Sequence, residues 1–545
     1  MTHSSLRCRS LRLLASGALV FALAWAEAPA ARAQGAPAPE ATAPATHTAQ
    51  TAPAAPPART TQVAPADAPG TATAEGLSGF DTPLPGAAPE APGGAGGSSA
   101  PAGPAPQNPE SGFSDAFKVA PGGEGASEAP AKPTSPRTQV SGFLRLDGSY
   151  NTAHQAPAPG ATDYRGLSKL RSAVQLELAL QMGADWKAFV SGQAFRDFVY
   201  QLRGQEHYAP PVLERYQQEA ELREAYVLGT PTRSLDLKVG RQIVVWGKSD
   251  NIRIVDVLNP LDLREPGLTD LEDLRLPVGM SKVSYYTGPW SLTGIAVHEI
   301  RFNKEPVPGS DFFPFPTAPP EEKPHSGDGN TEWAAALSGI FTGWDLAFYW
   351  ADLFNPDAYL ADRDGTPANG VQLVRRHARV HMSGAAANVA LGNWLLKSEL
   401  AHFTGLRFFN VPQKTFARLD GLIGAEYSGF ADTTLAFEAA DRLLLDHEAA
   451  LEQTPDLQPR DVNQYVLSYR GTYLRDKLDV VAVLSAFGRR ADEGTLQRYQ
   501  LTYELARALD LTGGVVIYTA GKGGNFLLVN ARDNDRVFFS LKWSF

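Results

Sequence analysis

Residues 246 to 278 hold the densest mixture of chemistry-bearing side chains in the sequence. Trp246, Asp250, Asp256, Asp262, Glu265, Asp270, Glu272 and Asp273 alternate with Lys248, Arg253, Arg264 and Arg275, and with Ile252, Ile254, Val255, Val257, Leu258, Leu261, Leu263, Leu268, Leu271 and Leu274. Charges of both signs at this spacing suit ion pairing and electrostatic constriction rather than bond making. A second cluster places Arg375, His377, Arg379 and His381 on one face of an extended segment, alternating with Arg376, Ala378, Val380 and Met382. Together with Arg241, such a basic column would attract anions or hold an acidic partner segment, gaining charge at low pH through its histidines. Ordinary water-solvated charges explain it equally simply. Arg376, on the opposite face, argues against burying that face in lipid.

Catalytic signatures are missing. There are no paired cysteines, no HExxH, no phosphate loop opening a helix and no nucleophile elbow, so no enzyme is expected. His377 and His381 share a face but lie too far apart on a strand to hold one ion without further ligands, so neither metal nor cofactor is expected.

The elements that must position these groups read as strands. The last ten residues alternate Val537, Phe539, Leu541, Trp543 and Phe545 with Arg536, Phe538, Ser540, Lys542 and Ser544. One face suits lipid and the other a wet lumen, and Trp543 and Phe545 are the expected assembly signal for a barrel-assembly machinery. Ser172, Val174, Leu176, Leu178, Leu180 and Met182 separate in the same way from Arg171, Ala173, Gln175, Glu177, Ala179 and Gln181. From Val140 onward this texture recurs about eighteen times, with tight spacers near Ala184, Pro231, Thr287, Thr342, Gly392, Ala431, Asp476 and Asp510 and mostly longer ones between. No segment is long and apolar enough for a spanning helix, which needs about 20 residues. The expected fold is therefore all-β, a transmembrane antiparallel up-and-down β-barrel of 16–18 strands over 138–545.

Residues 1–33 read as an export signal, with Arg7, Arg9 and Arg12 before an apolar run and Ala31-Arg32-Ala33 at the cleavage point. The chain's one cysteine, Cys8, falls within it. Residues 34–137 are dominated by Ala, Pro, Gly, Ser and Thr and are expected to form a disordered periplasmic linker. Two apolar islands in it, Gly76 to Phe80 and Ser111 to Lys118, are either docking peptides for a periplasmic protein partner or scattered aromatic residues of a tail. A formal net charge of −10 argues against nucleic acid as a partner. Outer-membrane lipid is the expected surrounding, with both chain ends periplasmic and the long loops outside.

The apolar content of 246–278 wants burial that an extracellular tip does not offer. The segment is therefore expected to fold into the barrel and narrow or plug it, the other reading being an ordered external loop. Val239-Gly240-Arg241-Gln242, Trp246-Gly247, Val257-Leu258-Asn259-Pro260-Leu261-Asp262 and Leu276-Pro277-Val278 resemble the signature of a proteobacterial outer-membrane barrel family known as domain of unknown function 1302. The resemblance is carried by residues 234 to 300, and the extension over 34–137 departs from it. It implies a barrel linked to envelope export and a hydrophobic or amphiphilic cargo, and it supplies no site residues. Two functions follow: a porin-like conduit constricted by 246–278, or a structural anchor whose tether, 34–137, holds an envelope machine.

Overall fold

The computed structural model describes residues 137–157, 160–268, 274–327, 329–363, 371–522 and 526–545. The export signal, nearly all of the linker, Asp270, Glu272 and Asp273 lie outside the described residues. The first strands are β1 (Arg137–Asn151), β2 (Gly166–Gln181), β3 (Trp186–Asp197), β4 (Gln218–Thr232), β5 (Leu235–Gln242), β6 (Val278–Thr287) and β7 (Trp290–Val297). After a short loop strand, β8 (Glu321–Glu322), come β9 (Glu332–Phe341), β10 (Trp344–Phe354), the loop strands β11 (Tyr359–Asp362) and β12 (Leu373–Arg376), and β13 (Arg379–Leu391). The series ends with β14 (Trp394–Leu406), β15 (Phe416–Phe430), β16 (Thr433–Leu445), β17 (Asp461–Tyr473), β18 (Leu478–Phe487), β19 (Gly494–Ala506), β20 (Leu509–Ala520) and β21 (Arg536–Ser544).

Eighteen of these strands form one sheet in which each pairs antiparallel with its neighbour in sequence. It closes where Leu144, Leu146 and Tyr150 of β1 face Trp543, Leu541 and Val537 of β21. Each of the eighteen then has a neighbouring strand on both sides and none is left as a free edge, the condition a chain must meet to cross lipid by strands. Alternation fixes the faces. Val140, Leu176, Val239, Leu292, Ile423, Leu467 and Leu501 stand exposed outside, while Lys169, Glu399, Glu438 and Arg498 stand buried on the inner face. Connections alternate between tight turns such as Arg233–Ser234 or Gly392–Asn393 and long loops such as 243–277 and 298–331. Asp432 closes one tight turn at φ 50°, a conformation in which aspartate is among the better-tolerated residues. The tight-turn end carries an exterior aromatic girdle: Trp290, Phe341 and Trp344 pack in series, the last two stacked, as do Trp394, Tyr427 and Phe430 edge-on or tilted, and the ring centroids of Trp543 and Phe545 lie 5.4 Å apart.

The expected strand over 374–391 is corrected. Leu373–Arg376 leaves the barrel and forms a small loop sheet with β11 and β8, and the barrel strand begins only at Arg379. The cause is local: Arg375 is drawn to Glu305 and Glu321, at 2.5 and 2.9 Å, and Arg376 to Glu322 at 2.8 Å.

Candidate functional site

The segment between β5 and β6 lies inside the barrel and reaches two opposite stretches of its inner wall. Asn259 ties its two ends together. The Val244 amide donates to its Oδ1 at 2.8 Å, and its Nδ2 donates to the carbonyls of Leu276 and Gln242 at 2.9 and 3.3 Å. The motif asparagine therefore closes the neck of the segment.

On the β9–β18 side the contact is dry. Ile252, Ile254, Val255 and Leu258 join one buried cluster with Ala334, Ala336, Ala347, Ala351, Met382, Ala386, Ala401 and Ala440 of the wall. Small wall residues make this possible, since a Cβ added at Gly384 would sit 2.8 Å from Val255 Cγ1. Each fully buried aliphatic side chain contributes about 1.5–3 kcal/mol. Two wall carboxylates catch the backbone. Glu399 of β14 accepts from the amides of Lys248, Ser249 and Val255, the latter two at 2.8 and 3.3 Å. Glu438 of β16 accepts from the Ser249 hydroxyl at 2.8 Å and from the amides of Asp250 and Asn251 at 3.2 Å. Lys397 holds Asp250, and Lys248 reaches Asp345. Trp246 packs on Tyr349 with ring centroids 4.9 Å apart, and its amide donates to Asp256 at 3.2 Å.

At the centre of the segment Asp256 receives Arg253 at 3.2 Å and Arg275 at 2.9 Å. Burial disfavours its charge, but the two guanidiniums prevail and hold the carboxyl below its ordinary range. Asp262 is held low in the same way, against burial, by Arg264, and Arg264 extends to Glu219 of β4 at 2.7 Å.

The far end docks on the opposite wall. Glu265 takes Lys169 at 2.8 Å and Arg171 at 3.0 Å, both from β2. The Tyr518 hydroxyl donates to the Pro266 carbonyl and Arg498 to that of Gly267. On this side the lumen remains polar. A cavity of about 200 Å³ lies between Asp262–Leu268 and the inner faces of β1–β4 and β19–β21, lined by Arg145, Asp147, Gln500, Thr502, Ser540 and Lys542 among others.

The basic residues expected to form one column separate into three settings. Arg241 pairs with Glu299 at 2.6 Å and with Glu221 at 3.3 Å. Arg375 and His377 belong to the loop layer. His377 stacks on Phe302 at 3.5 Å, its Nδ1 lies 2.9 Å from the Asn355 carbonyl and its Nε2 2.8 Å from Glu321. Glu321 is in turn held down to about 2: burial pushes it up, but His377, Arg375 and Lys323 together outweigh burial. Arg379 and His381 lie on the exterior face, where Asp352 meets them at 2.6 and 3.5 Å. The reason is that Val380 and Met382, between them in sequence, are taken into the apolar cluster around Val255. A His377→Ala variant is expected to cost the loop layer about 1–3 kcal/mol by unpairing buried acceptors, read as faster proteolytic nicking within 298–331 with the barrel itself intact.

Not expected from the sequence were Glu399 and Glu438, the wall groups that hold the segment, nor Glu219 and Glu221 of β4, which receive Lys304 at 2.7 and 2.8 Å, with Arg301 meeting Glu221 at 2.6 Å. The available signal was an acid beside alanine on the inner face of a strand, Glu399 with Ala401 and Glu438 between Ala436 and Ala440.

Solved structures similar to this chain include OpdK of Pseudomonas aeruginosa with vanillate, at 10% identity and TM-score 0.43, covering 75% of this chain and 98% of that one. OccAB2 of Acinetobacter baumannii matches at 10% identity and TM-score 0.45 over 75% and 98% of the two chains. A BenF-like porin from Pseudomonas fluorescens Pf-5 gives the same identity, TM-score and coverage. No curated protein matches the chain. The model of a family described as a protein of unknown function, DUF1302, matches residues 161–545, more than half of the sequence, and the chain belongs to that family.

Proposed function

We propose that the barrel is a porin-like conduit of a bacterial outer membrane whose bore is narrowed by residues 246–278, with the tight turns and both barrel ends on the periplasmic side and the long loops outside. The observation that carries this reading is the asymmetry of the lumen. The β9–β18 side is sealed by apolar packing against the segment, whereas the β1–β4 and β19–β21 side keeps a polar cavity beside it. A chain meant only to close its barrel gains nothing by leaving charged and hydroxyl-bearing groups around an open space. The passage serves a small polar solute. Mixed charges on its lining, Arg145 and Lys542 with Asp147 and Asp510, favour molecules bearing both donors and acceptors over a bare ion. Trp543 and Phe545 remain the proposed assembly signal.

The second reading, an anchor with a plugged barrel, draws on the same dry packing, because Ile252, Val255 and Leu258 are nearly or wholly inaccessible. Single-channel recording from the purified barrel in a planar bilayer separates the two. Small, steady current steps are expected of a constricted conduit. A silent barrel that is correctly folded and inserted would overturn the conduit in favour of the anchor.

A further inference from the structure

We propose that the outer wall carries a site for a phosphorylated lipid, its acyl chain lying across β1–β3, β20 and β21 and its phosphate resting on Arg196. The site is a structural lipid site on the lipid-facing surface, distinct from the bore, and it holds whether or not the bore conducts. It rests only on the wall lying in a bilayer.

The register draws the groove. One exterior row runs Leu509, Trp543, Leu144, Val174 and Ala194 through successive ladders, and the next runs Leu541, Leu146, Ser172 and Arg196. These rows cross the strands, and strands in such barrels tilt by roughly 35–45°. The path therefore climbs obliquely from Trp543, in the girdle at the tight-turn end, to Arg196, one residue before the loop end of β3. Leu144, Leu146, Leu541 and Trp543 are exposed along it, while Ser172 and Ala194 are small and leave a floor. The resulting groove has a volume of about 650 Å³, within the range of roughly 300–1,000 Å³ usual for small-molecule sites.

Charge decides the occupant. Arg196 is exposed, and among the described residues it makes no hydrogen bond or ion pair; its guanidinium lies 5.9 Å from the ring of Phe198. Its ladder partners, Ser172 and Gln218, are uncharged. An arginine on a barrel's lipid face costs about 2–4 kcal/mol at the midplane and about 0–1 near an interface. At this height the side chain reaches headgroup level, where a phosphate offers the bidentate acceptor that the protein does not. A neutral lipid would fill the groove and leave the guanidinium unmatched.

Native mass spectrometry of the purified full barrel titrated with diphosphoryl lipid A tests this, with the same lipid stripped of its phosphates as control. One tightly held equivalent is expected. Arg196→Gln should weaken it about tenfold, as loss of a charge-assisted hydrogen-bonded pair implies, and Ala194→Trp, which fills the floor from the lipid side, should weaken it independently. Both side chains point out of the barrel, so unchanged heat-modifiable migration certifies the fold. Equal retention of the phosphate-free lipid, or unchanged binding by either variant, would overturn the proposal.

Discussion

A barrel from which residues 248–275 are removed, with Gly247 joined to Leu276 through a short flexible linker, is expected to pass several-fold more current than the intact chain. Barrels of 16–18 strands leave an aqueous channel unless something fills it, and here the filling is a single segment held at both walls, by Glu399 and Glu438 on one side and by Lys169, Arg171 and Tyr518 on the other. The wall strands do not depend on it, because all eighteen are closed by their own ladders. A Glu399→Gln, Glu438→Gln double variant should go part of the way. It replaces one carboxyl oxygen of each wall acid with an amide group that cannot accept from the segment's amides, weakening those hydrogen bonds, while the apolar packing of Ile252 and Val255 stays in place. More frequent openings rather than a permanently wide pore are expected from it. Equal conductance from the intact chain and the deletion variant would show that the segment does not limit the passage.

The barrel was legible because each strand states its two faces locally. The period-two alternation in 172–182 or 537–545, bounded by tight turns, needs no knowledge of the rest of the chain, and closure of an even number of strands follows from the need to pair every edge. The segment at 246–278 was legible as something seeking burial, for its apolar residues are too dense for a loop tip. What it docks against was not. Glu399 lies about 150 residues away from Lys248 and Ser249, and its inner-face position looks like that of any lumen acid until the segment is in place. The same gap misplaced Arg379 and His381. Alternation separates Arg379 and His381 from Val380 and Met382, but it does not say which pair faces inward when the lumen itself is filled with apolar chain. Arg375 was lost to a loop sheet whose partner, Glu321, belongs to a different loop.

The far wall supplies the second large effect. Glu265→Ala is expected to destabilise the docked segment by about 3–5 kcal/mol, the usual consequence of removing one partner of a buried ion pair. Lys169 and Arg171 both point at this carboxylate, and Lys169 is buried on the inner wall. The loss falls on docking rather than on the barrel, so the variant should keep its migration in gels while residues 262–268 become accessible to a thiol reagent, reported by a Leu263→Cys substitution at a buried position, which stays unreactive while Glu265 is present. Acid should act in the same direction. Burial raises the pKa of Glu265, but Arg171 and Lys169 pull it further down, well below the ordinary carboxylate range. A group depressed on folding contributes its full stabilisation above its unfolded pKa, about 4.3 for glutamate, and surrenders it as the pH falls through the folded value. Docking should therefore be insensitive to pH from neutrality down to about pH 5 and weaken progressively below about pH 4, read by labelling of the same introduced thiol with a dipyridyl disulfide, whose protonated pyridine leaving group keeps it reactive toward thiols in acid. Opening that begins near neutral pH would place control in a histidine instead and remove Glu265 from the mechanism.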